Sequence, residues 1–226
     1  MQLIASELIN FYRSLRLECA LPEGVGLLHP QADEAVMRTV TAFLNKYYSD
    51  QHPRQMLFGI NPGRYGAGTT GINFTAPKQL TEVLRIDHTF RNQTELSAEF
   101  IYEVIAVYGG PEKFYGDFFL SSISPLGFVR QGKNLNYYDD RNLMKALEPF
   151  IVKSIAQQLR IFRPIQVCIC IGGEKNFKFF TELNNKLQFF KEIIPLPHPR
   201  FIMQYRRKQK ENYLSQYLSA LEKLRK

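Results

Sequence analysis

The sequence predicts an α/β fold: a three-layer α/β/α sandwich with a central four-stranded, mainly parallel sheet, in a single domain over residues 1–226. Three observations carry that expectation. Apolar residues recur at helical spacing over residues 2–18, 32–49, 96–108, 141–162, 174–187 and 209–225. Between them lie four short apolar runs bounded by turn residues: "QMLFGI" (55–60), "DFFLSSI" (117–123), "IQVCICI" (165–171) and "QFFKEIIPL" (188–196). Strands that alternate with helices pair in parallel, with helices covering both faces of the sheet.

Taken in order, the first helix carries Glu7 inside its apolar pattern and has no basic leader, so it does not read as a signal peptide. The first strand runs straight into Asn61 and a loop, "GINPGRYGAGTTGINF", that holds five of the 14 glycines. The second strand ends before Pro125-Leu126, and the third, with Cys168 and Cys170, reads as buried. The fourth leads into "LPHPR". In the final helix Tyr213, Leu214, Tyr217, Leu218, Leu221 and Leu224 form one apolar face. Ligands of such sheets sit beyond the carboxyl ends of the strands. The topology therefore brings together Asn61 onward, Ser122–Leu126, Gly172–Lys175 and Pro197 onward.

Composition excludes several classes. Three cysteines without C-x-x-C spacing and four histidines without H-x-x-x-H spacing give no disulfide framework, zinc site or iron–sulfur cluster, so no metal or other cofactor is expected. No apolar run reaches membrane-spanning length, and the chain reads as cytoplasmic, monomeric and without a membrane partner. The formal charge is +8, and residues 200–226 hold eight Lys/Arg against two Glu. A basic C-terminal element fits a polyanion, nucleic acid or a membrane surface, or else is a solvated helix that happens to be basic.

The glycine loop fits neither common phosphate cradle. A Walker A loop needs Gly-Lys-Ser/Thr at its end, and here "TTGINF" follows. Gly66-Ala-Gly68-Thr-Thr-Gly71 matches a dinucleotide fingerprint in letters, but it starts six residues beyond the strand and no helix clearly follows it. A glycine-rich connector with Asn61 as a turn residue remains open.

A third reading takes in more residues. Gly59-Ile-Asn-Pro-Gly63, an aromatic thirteen residues after the asparagine at Phe74, "FFLSSISPLGF", and Leu196-Pro-His-Pro-Arg200 occur in that order. This set resembles the uracil-DNA glycosylase superfamily, most closely the single-strand-selective monofunctional branch, over roughly residues 55–210. The resemblance implies a monofunctional DNA glycosylase of base excision repair that hydrolyses the N-glycosidic bond of uracil or a related damaged base. Asn61 would orient the water and His198 would donate a hydrogen bond to the base as charge develops there. Ile60, Gly63, Phe74 and Ser122 would bind the base. Phe74 would stack on it, and Gly63, which replaces a tyrosine of another branch, would leave room beside C5. Ser122 stands where the branch has an asparagine that reads the base edge, and the His-Pro-Arg motif is shortened. Arg200, Tyr205, Arg206, Arg207 and Lys208 would grip DNA, and apolar residues of 201–206 would fill the vacated base position, with packing at the start of the terminal helix left open for Ile202 and Met203. The alternatives are a non-catalytic single-strand-binding module on the same scaffold and a nucleotide-binding enzyme of the doubly wound class.

Overall fold

The computed structural model describes residues 3–162 and 165–225; the helix expected over 2–18 begins at residue 2, outside the described residues. Along the chain come α1 (Ile4–Ser14), β1 (Val25–Leu28), α2 (Glu34–Tyr47), β2 (Gln55–Gly59), α3 (Ala67–Thr70), α4 (Pro77–Gln79), α5 (Leu96–Tyr108), α6 (Pro111–Asp117), β3 (Phe118–Ser122), β4 (Gly127–Arg130) and β5 (Lys133–Leu135). They are followed by α7 (Arg141–Phe162), β6 (Val167–Ile171), α8 (Gly173–Leu187), β7 (Glu192–Leu196), α9 (Pro199–Tyr205) and α10 (Lys210–Leu224).

The main sheet has the order β3-β2-β6-β7, and every neighbouring pair is parallel. Register then decides which side chains share a face. Phe58 pairs with Ser121, and Gly59 with Ser122. On the first of these faces Phe58 meets Phe180 of α8 edge-on at 5.3 Å, and the Ser121 hydroxyl donates to Gln158 of α7. On the opposite face the loop after β2 reaches the strand ends: the Phe74 ring lies against Gly59, and Ser122 donates to Asn73. Elsewhere α5 packs on α9 and α10, where Tyr217 lies 5.1 Å from Phe100.

All four strands are shorter than expected, and two of the starts have local causes. The last strand begins at Glu192 because Asn184 clamps Phe190: its amide donates to the Phe190 carbonyl at 2.9 Å and its oxygen accepts the Phe190 N–H at 2.9 Å. Those backbone groups are thereby withheld from the ladder. The second strand begins at Phe118, because Asp117 closes α6 and accepts from the Tyr108 hydroxyl at 2.5 Å.

A second sheet, not expected from the sequence, pairs β1, β4 and β5 antiparallel. Its strands are three or four residues long and only partly buried, so they lack the apolar runs that mark the main sheet. It matters because β5 delivers Asn134 and Leu135 to the end of β2.

A buried cation fixes the lead-in to β2. Arg54 is 2% exposed and donates to the carbonyls of Tyr115 and Tyr47 while pairing with Asp50 at 2.7 Å. Its charge is held by one carboxylate and its remaining N–H groups by backbone, which satisfies the requirement for burying a guanidinium.

Candidate active site

The strand β2 stops at Gly59, but its pairing with the neighbouring chain segment continues: Gly59 accepts from the Ile123 N–H at 3.0 Å and Ile60 from the Ser124 N–H at 3.1 Å. Asn61 follows at once. Its side-chain NH₂ donates to the Pro62 and Leu135 carbonyls, both at 3.3 Å, and its oxygen accepts the Tyr137 N–H at 3.1 Å. Both amide hydrogens are engaged and one oxygen lone pair is left. The orientation of this amide is therefore set by the chain around β5. What it still offers is an acceptor.

The glycine loop then folds back onto the sheet. Its helix α3 is a single turn, and Gly71 (φ +74°) ends it in the left-handed region. The Thr70 hydroxyl donates to the Thr75 carbonyl at 2.7 Å and accepts the Ile72 N–H at 3.2 Å, closing a tight arch over residues 70–75. Phe74 sits in this arch with φ +54°, a conformation that a bulky residue holds only when its surroundings fix it. Its buried ring lies against the bare Cα of Gly59 and 6.1 Å, centre to centre, from the imidazole of His198.

Ser122 ends β3 beside Gly59, as expected, but its hydroxyl proton is taken: it donates to Oδ1 of Asn73. The Asn73 NH₂ donates to the Leu120 carbonyl at 3.3 Å and has a second hydrogen left over. An amide thus lies beside Ser122 after all, supplied by the loop and not by the strand. Sequence reasoning missed Asn73, because nothing in the loop indicates that the residue before Phe74 reaches β3.

His198 follows β7, where the buried Tyr217 hydroxyl donates to the Pro197 carbonyl at 2.5 Å and anchors the turn. His198 is the N-cap of α9, and its Nδ1 accepts the Arg200 N–H at 3.1 Å. A capping nitrogen that accepts carries no proton, so the neutral ring carries its hydrogen on Nε2. Burial, reinforced by the charge of Arg200, lowers its pKa from 6.5 to about 4. The ring is a neutral donor at physiological pH.

These segments enclose a pocket of about 330 Å³ at the carboxyl ends of the sheet strands, within the range of small-ligand sites. Ile60, Asn61, Gly63, Phe74, Ser122 and His198, all singled out from the sequence, line it. Arg200 and Tyr205 stand at its edge together with Phe201 and Gln204. Arg206, Arg207 and Lys208 are exposed and outside the lining; the Arg206 guanidinium lies 5.5 Å over the Phe201 ring. Of the two readings left open for Ile202 and Met203, the structure shows packing. Ile202 and Met203 point into the core, 0% and 5% exposed, because α9 turns its apolar side towards α5. The apolar groups left outside are Phe201 and Tyr205. Asn73, Glu95 and Asn134 also line the pocket and carry no motif that would have identified them.

Among the described residues, no three His, Cys, Asp or Glu side chains are grouped to hold a metal, and no helix is long and apolar enough to cross a membrane.

The sequence profile of the uracil DNA glycosylase superfamily matches residues 46–222. Among solved structures, the crystal structure of wild-type Pedobacter heparinus SMUG2 superposes with a TM-score of 0.95 at 41% identity, covering 100% of this chain and 99% of that one. No curated protein matches the chain.

Proposed function

The chain belongs to the uracil DNA glycosylase superfamily, and from that premise we propose that it is a monofunctional glycosylase of base excision repair that hydrolyses the bond between C1′ of deoxyribose and uracil or a related damaged base. The observation that carries this reading is the meeting of Asn61, Phe74, Ser122 and His198 in one pocket.

Breaking the glycosidic bond leaves an oxocarbenium-like sugar and an anionic base. The sugar captures water readily, so the greater demand is to stabilise charge on the departing base. His198, neutral with hydrogen on Nε2, donates to a base carbonyl as that charge grows. Because the ring is already neutral, this is stabilisation by a hydrogen bond and not transfer of a proton from an imidazolium. Asn61 has only an acceptor to give. It takes a hydrogen bond from the water and so turns a water lone pair towards C1′; oxygen bonds to C1′, the C–N bond pair leaves with the base, and the water's proton passes to solvent or base.

Phe74 stacks on the extruded base, and the Asn73–Ser122 pair reads its edge. Ser122, with its proton on Asn73, offers an acceptor, while Asn73 offers its remaining N–H. That complement suits an imide edge such as that of uracil, which presents an N–H beside a carbonyl. The pocket also extends over Gly63, so the substrate range includes 5-hydroxymethyluracil and extends to a deaminated purine such as xanthine.

The test is base release from single- and double-stranded oligonucleotides that contain uracil, with hot alkali to cleave the abasic sites. Release with strand cleavage only after alkali is the expected result. Tight binding without release on any modified base would instead favour a non-catalytic binding module.

A further inference from the structure

Behind the arch over residues 70–75 runs a row of buried hydroxyls that the proposed reaction does not use. The Thr75 hydroxyl donates to the Asn73 carbonyl at 3.2 Å. That bond bridges Phe74, whose φ of +54° a bulky residue keeps only under constraint. The same Thr75 oxygen lies 3.0 Å from the Tyr102 hydroxyl of α5, which in turn lies 3.2 Å from the Tyr115 hydroxyl of α6. Each hydroxyl has one proton to give. With the Thr75 proton on Asn73, Tyr102 donates to Thr75 and Tyr115 donates to Tyr102. Burial pushes both phenols above their ordinary pKa of 10, so each keeps that proton. The row ends on a fixed support: the Tyr115 ring meets Phe43 edge-on at 5.0 Å, and the Tyr115 carbonyl accepts from Arg54 at 2.9 Å. Thr75, Tyr102 and Tyr115 are buried, and none of the three lines the pocket.

Resting on the reading of this pocket as the base site, we propose that Tyr102 and Tyr115 are positioning residues, which through Thr75 hold the arch in the shape that presents Asn73 and Phe74 to the base. Each bond in the row strengthens the next, because a hydroxyl that accepts becomes a better donor. Without the Tyr102 proton the Thr75 oxygen loses its buried donor, and its own bond to the Asn73 carbonyl weakens. Phe74 then loses a restraint on its left-handed conformation. Both pocket residues shift together, although neither tyrosine reaches the pocket.

The experiment measures single-turnover release of uracil, affinity for the same oligonucleotide, and amide exchange in wild type, Tyr102→Phe, Tyr115→Phe, Thr75→Val and Thr75→Ser. Tyr102→Phe and Thr75→Val are expected to slow release about tenfold, with affinity within about twofold of wild type. Tyr115→Phe should cost less, because the Tyr102 proton still reaches Thr75. Thr75→Ser, which keeps the hydroxyl, should stay within about threefold of wild type. In an Asn73→Ala background the Tyr102→Phe change should cost less than in wild type, since both act through one arch. An equal factor in the two backgrounds, or a wild-type rate in Thr75→Val, overturns the proposal. If Thr75→Val does not fold, Tyr102→Phe, which keeps the packed ring, decides by the same comparison. Should wild type release no base, the glycosylase reading fails separately. The hold on the arch is then read from exchange of the Ile72 and Thr75 amides, whose hydrogen bonds close it. Faster exchange there in Tyr102→Phe, with exchange in β2 unchanged, supports the row, and unchanged exchange overturns it.

Discussion

Phe74 and Gly59 approach so closely that a β-carbon on Gly59 would stand 2.8 Å from Cζ of the Phe74 ring. The Phe74 ring is thus levelled by the backbone of the last residue of β2, and no other residue type fits beneath it. Gly59→Ala is expected to tilt or lift the ring and to lower base release about 10²-fold, the scale for a misplacement of about 1 Å in a reacting geometry. Single-turnover rates alongside a melting curve check this. A folded Gly59→Ala protein with wild-type rates would show that the ring's height above the sheet does not matter.

Asn61→Ala is expected to cost about 10²-fold or more in release while leaving DNA affinity nearly unchanged, since the proposed mechanism assigns the amide to the water and not to the strand. Rate and binding are measured on the same uracil oligonucleotide. Near-normal turnover would remove Asn61 from the reaction.

For the Asn73–Ser122 pair, Asn73→Ala is expected to reduce discrimination of uracil from cytosine at least several-fold, because the edge donor is removed. Ser122→Ala, which frees the Asn73 amide to rotate, should do the same to a smaller degree. Ser122→Asn should narrow the range of bases towards uracil by fixing a second amide at the edge. Competition assays over a base panel read all three, and identical profiles would mean that the edge is read elsewhere.

The pH dependence follows from His198. Its pKa is lowered from 6.5 to about 4, so the imidazole stays neutral as pH falls through 6.5 and gains charge only near 4. The acid limb of the single-turnover rate should accordingly lie well below 6.5. Stability follows the same sign: between those values the unfolded chain binds the proton and the folded one does not, so this histidine lowers stability as pH falls through that window. Glu95, raised by burial, acts oppositely and lowers stability as pH rises through the range between its unfolded and folded values. Profiles of wild type and Glu95→Gln separate the two groups, and an acid limb centred at 6.5 in both would show that His198 titrates as an ordinary surface histidine.

Replacing Arg206, Arg207 and Lys208 together by alanine should weaken single-strand binding for all sequences. It should also flatten the logarithmic salt dependence by about 0.7 for each phosphate that is no longer neutralised. These side chains are exposed just beyond α9. Titrations at several salt concentrations measure the slope, and an unaltered slope would leave them as solvated surface.

Much of this architecture was legible in the chain. The four sheet strands and the six long helices carry strong apolar periodicity, and the parallel order follows from their alternation. Asn61, Phe74 and His198 stand at spacings that survive in the sequence as a pattern. What stayed hidden depends on distance across the fold. The second sheet is too short and too exposed to leave a periodic signal. Asn73, Glu95 and Asn134 reach the pocket from a loop, a helix start and an edge strand, and their neighbours in sequence say nothing of their neighbours in space. The register of α9 was also hidden, since a seven-residue helix with apolar residues at 201, 202 and 203 does not reveal which of them faces inward.

The arch over residues 70–75 carries Phe74, proposed to stack on a base, and Asn73, proposed to read its edge, as immediate chain neighbours. Face and edge are therefore not independent variables. Any shift of the arch moves both together, and with them the hydrogen bond that joins the arch to Ser122. The unit of change in this pocket is the whole short segment, which a relative could exchange as a cassette to acquire a new base preference while its water-holding and charge-stabilising residues, anchored elsewhere, stay where they are.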